Sequence, residues 1–117
     1  MEFIVIIAVV VLASLFLKRS GKGVTTINSE QAKSKFGYSN VQFIDVRTPM
    51  EYKGSKVKEF KNLPLDQLGK RAKELDPKKE TVVLCQSGMR SSRACKVLKQ
   101  QGFTSVYNVR GGLNTWR

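Results

Sequence analysis

The most informative stretch of this chain reads Thr81-Val-Val-Leu-Cys-Gln-Ser-Gly-Met-Arg-Ser-Ser-Arg-Ala-Cys95. It begins with a short apolar, β-branched stretch typical of a buried strand and continues into a helical pattern. Cys85 stands at the junction, where the first backbone N–H groups of a helix carry partial positive charge. Because that charge stabilises a thiolate over a thiol, the junction suits a nucleophilic cysteine.

The alternative for Cys85 is a buried structural cysteine, which from residue type alone is the commoner case. The residues that follow it, Gln86, Ser87, Gly88 and Arg90, are too polar for an apolar burial site. We therefore predict that Cys85 is a catalytic nucleophile.

The composition excludes several other chemistries. The 117 residues include no histidine, which rules out a Cys-His or Ser-His-Asp triad and a histidine-based metal site. The two cysteines cannot fill a tetrahedral zinc site alone, and we expect neither a metal nor another cofactor. A nucleophile must then be activated by backbone dipoles and nearby cations. The second cysteine, Cys95, is expected to be a buried small hydrophobic residue rather than a resolving thiol.

The N-terminal run 3–17 is uncharged and almost wholly apolar. At about 1.5 Å per residue it is short for the ~30 Å core of a bilayer and near the length of a signal-peptide core. Positive charge follows the run, at Lys18, Arg19 and Lys22, and no convincing cleavage triplet is present. Because such cations stay in the cytoplasm, we predict that residues 1–17 form an uncleaved single-pass transmembrane anchor. A buried core helix is the alternative.

After the anchor in sequence, we expect a basic flexible linker at 18–23 and a single domain at 24–117. The domain is expected on the cytoplasmic side of the cell membrane. Of 21 Lys and Arg and 9 Asp and Glu in the chain, 18 and 8 belong to this domain. Such a surface can steer an anionic substrate or lie against anionic lipids. No recognition motif indicates specific binding of nucleic acid.

Strand and helix patterns alternate along the domain. Strands are predicted at 25–27, 41–46, 81–85 and 105–109, helices at 28–36, 65–75 and 91–101, a helix start with a capping box at 48–51 and a last helical turn after 111–112. The alternation predicts an α/β fold in which a parallel sheet is covered by helices on both faces. Ligands bind such sheets at the carboxyl ends of the strands, and Cys85 is placed at one of these ends.

Four segments together resemble those of single-domain rhodaneses. They occur in the family's order and cover nearly the whole domain: Asp45-Val-Arg-Thr-Pro-Met-Glu-Tyr52, Asn62-Leu-Pro-Leu65, Cys85-Gln-Ser-Gly-Met-Arg90 and Asn108-Val-Arg-Gly-Gly-Leu-Asn-Thr-Trp116. The resemblance implies a rhodanese-like sheet and a sulfurtransferase activity. In that activity a cysteine takes a sulfane sulfur from a small anionic donor such as thiosulfate. The resulting persulfide passes the sulfur to a thiol, to cyanide or to an acceptor protein.

The resemblance also implies a role for each residue of the central loop. Cys85 would be the nucleophile, Arg90 would face the anionic donor, and an amide cradle for the sulfur would come from Gln86, Ser87, Gly88 and Met89. The residue types agree with these roles, because a short loop before a helix makes an anion-binding nest. Gly88 would allow a positive φ, and the guanidinium of Arg90 suits an oxyanion.

Two alternatives stay open. Rhodanese-like folds resemble some cysteine phosphatases and arsenate reductases, but four residues separate Cys85 from Arg90 here, against five in the phosphatase pattern. The shorter loop leaves less room for a tetrahedral phosphate, which favours sulfur. The other alternative is a membrane-tethered binding or sulfur-relay module, which receives its sulfur from a partner protein.

Some features of the sequence concern structure rather than chemistry. Asp45, Arg47 and Glu51 are expected to act through helix capping and an internal ion pair, and Trp116 is expected in the core. Between the first two matching segments the family usually has Gly-His-Ile-x-Gly-Ala, whereas residues 55–60 read Ser-Lys-Val-Lys-Glu-Phe. We therefore expect a different rim of the pocket on that side.

Overall fold

The computed structural model of the protein describes residues 23–117, so the predicted anchor at 1–17 lies outside the described residues. Within them, five strands form one parallel sheet in the order β1-β5-β4-β2-β3. The strands are β1 (Val24–Ile27), β2 (Val41–Asp45), β3 (Lys61–Asn62), β4 (Glu80–Leu84) and β5 (Val106–Val109). In this part of the chain no helix is both long and apolar enough to cross a membrane.

Helices connect the strands, as the sequence predicts. They are α1 (Ser29–Lys33), α2 (Pro49–Gly54), α3 (Leu65–Arg71) and α4 (Met89–Gln100), with 3₁₀ turns at Ala72–Glu74 and Gly112–Thr115. Two predicted helices are shorter than expected, because their last turns tighten into i→i+3 hydrogen bonds: the first ends at Lys33, and the one predicted through residue 75 becomes 3₁₀ at Ala72. Strand β3 was missed, since two residues show no alternation.

The sheet is covered on both faces, which confirms the predicted α/β architecture. Consecutive residues of β4 point to opposite faces, so Val83 packs with α3 and α4 while Val82 packs with α1 and the C-terminal turn. Trp116, expected in the core, belongs to the second of these clusters and lies edge-on to Phe60 at 5.6 Å.

The central strand delivers Cys85 to the carboxyl edge of the sheet. Strand β4 ends at Leu84, and its apolar residues are fully buried because it lies in the interior of the sheet and both of its faces are covered. The chain turns back through Gly88, whose φ of 100° confirms the predicted left-handed conformation, and α4 begins at the next residue. Cys85 therefore occupies the strand-to-helix junction that the sequence predicts.

The C-terminal turn fixes the start of the Cys85 loop. The N–H groups of Leu113 and Asn114 donate to the carbonyl oxygens of Cys85 and Gln86, at 2.9 and 3.0 Å. This close approach needs Gly112, whose φ is 55°: a Cβ there would collide with the Cys85 carbonyl oxygen and lie 2.8 Å from the Gln86 carbonyl carbon.

We expect Gly112→Ala to destabilise the protein far more than Gly37→Ala. Gly37 is the matched control, because its φ is also positive, at 87°, but its Cβ would meet no atom within 4 Å. Both variants carry a left-handed strain of about 1–2 kcal/mol, and only Gly112→Ala adds an overpacking cost of about 1–3 kcal/mol. Urea unfolding gives both free energies, and equal values would contradict the clamping role of the turn.

Candidate active site

The sulfur of Cys85 is enclosed by its own loop. The side chain is buried, and the N–H of Gly88 donates to Sγ at 3.0 Å. The backbone of Ser87 also faces the sulfur. The side chains of Gln86 and Met89 lie away from the sulfur, since Gln86 binds Asn114 at 2.7 Å and Met89 is 70% exposed. A contribution of their backbone amides to the cradle stays a prediction.

Ser91 completes the set of groups around the sulfur, and sequence reasoning missed it. Its Oγ lies 3.3 Å from Sγ of Cys85 and donates to Oδ1 of Asn108 at 2.5 Å. In the thiol form, Sγ–H donates to Ser91 and Ser91 donates to Asn108. When the thiol ionises, Sγ can only accept, so the Ser91 hydroxyl turns its hydrogen to the sulfur.

A pattern in the helix could have revealed Ser91. The buried residues of α4 are Ser91, Ala94, Cys95 and Leu98, which is the spacing of the core-facing side of a helix. A serine on that face needs a hydrogen-bond partner, and the nearest strand end on the same edge of the sheet carries the thiol.

The two cysteines differ in acidity. Burial raises the pKa of the Cys85 thiol, but hydrogen bonds from the Ser91 hydroxyl and from the backbone of Ser91, Gly88 and Ser87 outweigh burial, so its pKa lies below the ordinary value. Burial raises the pKa of Cys95 to about 12. Cys95 packs in the apolar core, as predicted, but Cys85 is buried in the same cluster, contrary to the expectation that its site is not apolar. The opposite pKa shifts of the two thiols, rather than their burial, therefore favour Cys85 as the reactive one.

Arg90 closes the loop through an ion pair with Glu51. Its two terminal nitrogens donate to the two carboxylate oxygens at 2.6 and 2.9 Å, and both side chains are 35% exposed. Hydrogen bonding from Arg90 lowers the pKa of Glu51 to about 2. Glu51 also completes the predicted capping box with Thr48 at the start of α2. Contact between Arg90 and an anionic donor stays a prediction.

A buried ion pair positions Glu51. Arg47 is 2% exposed and donates to Asp45 at 2.8 Å, which confirms the expected internal pair. The same guanidinium donates to the carbonyl oxygens of Ser55 and Glu51, at 2.5 and 3.3 Å. Arg47 thus ties α2 to the end of β2 and holds Glu51 where Arg90 can reach it.

The described residues offer no candidate metal centre: between positions 23 and 117, no group of three or more His, Cys, Asp or Glu side chains is arranged to hold an ion.

Ser91→Ala is expected to raise the pKa of Cys85, because the thiolate loses the hydroxyl that its burial requires. The rate of alkylation by iodoacetamide at neutral pH should fall several-fold, and the midpoint of its pH profile should move upward. Ser92→Ala is the control, since its side chain makes no hydrogen bond to Sγ among residues 23–117. An unchanged profile for Ser91→Ala would refute this assignment.

Comparisons with known proteins agree with the resemblance seen in the sequence. The rhodanese-like domain family matches residues 28–117. The uncharacterized protein YqhL of Bacillus subtilis is 37% identical over 91 residues, which cover 78% of this chain and 71% of that protein. A sulfurtransferase of Allochromatium vinosum is 34% identical over 94 residues, covering 80% of this chain and 88% of the relative.

A solved structure extends the agreement to the fold. The rhodanese-like domain protein of Staphylococcus aureus superimposes with a TM-score of 0.72 at 26% identity, over 80% of this chain and 91% of that one. With its parallel sheet, its cysteine loop and these relatives, the chain belongs to the rhodanese-like domain family.

Proposed function

We propose that this protein moves a sulfane sulfur from thiosulfate to a thiol or cyanide acceptor through a persulfide on Cys85. Family membership and the sulfurtransferase relative support a transferase that moves sulfur. The observation that carries the finer proposal is the cradle: a buried sulfur at the end of the central strand, with the N–H of Gly88 at 3.0 Å and the Ser91 hydroxyl at 3.3 Å.

The loading step follows from that cradle. The Cys85 thiolate attacks the outer sulfur of thiosulfate, a new S–S bond forms, and the bond to the sulfite group breaks with its electron pair leaving on sulfite. The terminal persulfide sulfur then carries the negative charge. The lowered pKa of Cys85 increases the share of thiolate, which is the form of the thiol that attacks.

The loop geometry favours this chemistry over phosphate hydrolysis. The N–H of Gly88 donates to Sγ of Cys85 and is therefore not free to bind a phosphate oxygen. Only four residues separate Cys85 from Arg90. A phosphatase loop must instead surround the oxygens of a tetrahedral phosphate. A partner protein's persulfide could replace thiosulfate as the donor with the same bond changes, which is the sulfur-relay form of the proposal.

We also propose that residues 1–17 anchor the domain at the cytoplasmic face of the cell membrane. The support is the apolar run 3–17 and the cations Lys18, Arg19 and Lys22 that follow it. A reducing cytoplasm would keep Cys85 and Cys95 as the free thiols that sulfur transfer needs.

Incubation with thiosulfate should add one sulfur atom to the wild-type chain and none to Cys85→Ser, because burial raises the pKa of the other thiol, Cys95, to about 12. Intact mass of the full chain in detergent measures the addition. Cys95→Ala is the matched control and should still be modified, since the groups that contact the Cys85 sulfur, Gly88 and Ser91, are unchanged in it. A wild type that stays unmodified yet hydrolyses a phosphate ester would overturn the sulfurtransferase proposal.

A tag after Arg117 should resist protease added outside intact cells and be cleaved once the membrane is opened, because the cations after the apolar run keep the domain inside. Immunoblotting of the tag reads the result. Cleavage in intact cells would contradict the cytoplasmic placement, and recovery of the protein in the soluble fraction would contradict the anchor.

A further inference from the structure

A groove of about 500 Å³ runs beside the Cys85 loop. We call it the basic groove, and its walls include Gly88 and Met89 of the loop, Arg93 and Lys96 of α4, and Arg110 after β5. Gly88 lines the basic groove and also contacts the Cys85 sulfur, whereas Cys85 itself does not line the groove. A molecule bound there would lie against the outer side of the cradle.

The basic groove carries unpaired positive charge. Arg93, Lys96 and Arg110 are exposed, and within residues 23–117 none of them forms a salt bridge. No acidic side chain is among the residues that line the groove. Three cations around one concavity attract a negatively charged partner and speed its arrival.

Met89 indicates that the partner is a protein. Its side chain is 70% exposed at the edge of the groove, next in sequence to the cradle glycine. An exposed methionine gives a small hydrated anion nothing to bind, whereas methionine and arginine are both enriched where proteins meet. The combination of an apolar side chain and three cations therefore fits an acidic protein surface.

The basic groove and the Arg90–Glu51 pair lie on opposite sides of the loop. Strand β4, which carries Cys85, has β5 on one side and β2 on the other. The groove is built on the β5 side, by Arg110, and Glu51 belongs to the helix that follows β2. A partner in the groove therefore lies next to the cradle and leaves the Arg90–Glu51 pair in place.

We propose that the basic groove docks an acidic segment of the protein that accepts sulfur from Cys85; this rests on the proposed function. The acceptor's cysteine first loses its proton to water. Its thiolate attacks the outer sulfur of the Cys85 persulfide, and the bond from that sulfur to Sγ breaks with its electron pair staying on Sγ. The acceptor leaves as a persulfide and Cys85 returns to a thiolate.

Two synthetic peptides test this docking, one with a single cysteine among four glutamates and one with glutamines in their place. The full chain, loaded with sulfur from thiosulfate, should transfer it about ten-fold faster to the acidic peptide at low salt, with the difference lost at high salt. The combined variant Arg93→Gln, Lys96→Gln, Arg110→Gln should lose that preference, as read by mass spectrometry of the peptides.

A matched control removes the same charge elsewhere. Lys70→Gln, Lys73→Gln and Lys78→Gln change three exposed cations outside the groove, so this combined variant should keep the wild-type preference. Equal loss in both variants would show that net charge alone acts and would overturn the docking proposal.

The remaining outcomes separate this proposal from the proposed function. If the chain loads sulfur but transfers it equally to both peptides, the docking proposal fails and the sulfurtransferase stands. If the chain loads no sulfur, the sulfurtransferase fails, and binding of the dye-labelled acidic peptide decides the groove alone. If sulfur transfer to glutathione exceeds transfer to a neutral thiol by the same factor, a small anion is enough and a protein partner is overturned. A protein partner is also overturned if the groove variant is defective only in binding to phosphatidylglycerol vesicles.

Discussion

Burial of the Cys85 sulfur determines which groups must surround it, because a thiolate formed there is cut off from water. Burial removes water from the thiolate, and that loss is unfavourable unless hydrogen bonds replace the water. The N–H of Gly88 and the hydroxyl of Ser91 provide the replacement. Strand β4 brings the sulfur to the edge of the sheet, and the turn at Gly112 holds the loop so that its N–H groups point inward. The two hydrophobic clusters in turn keep β4 in place.

A second chain of interactions joins the neighbouring strand to the same loop. Arg47 neutralises Asp45 in the interior and binds the carbonyl oxygens of α2, which places Glu51, and Glu51 in turn holds Arg90. Loss of the Arg47 side chain would leave the buried Asp45 carboxylate without a cation, with the backbone N–H of residue 47 as its remaining partner at 3.0 Å. A buried charge without its counter-ion is a costly state in any protein interior. The loop is therefore held from the β2 side by charge and from the C-terminal side by backbone hydrogen bonds.

Structural features that depend on neighbouring residues could be predicted from the sequence, whereas those that depend on tertiary contacts could not. The buried strand before Cys85, the positive φ at Gly88 and the capping box at Thr48 follow from neighbouring residues and were predicted correctly. The hydrogen bond from Ser91 to Asn108 joins residues 17 positions apart, and the partner of Arg90 lies 39 positions away. The segment 55–60, which differs from the usual rhodanese pattern, ends in Phe60. This side chain is buried among aromatic rings, so the end of the segment is held by packing that the sequence did not predict.

The two sides of the loop are built from different kinds of group. The cradle uses the backbone and a buried hydroxyl, so few substitutions can change it without unfolding the loop. The basic groove uses the exposed side chains of Arg93, Lys96 and Arg110, which can change freely because nothing in the described fold rests on them. Under the proposed docking, substitutions in the groove would change how often an acceptor arrives, whereas substitutions in the cradle would change how fast sulfur moves.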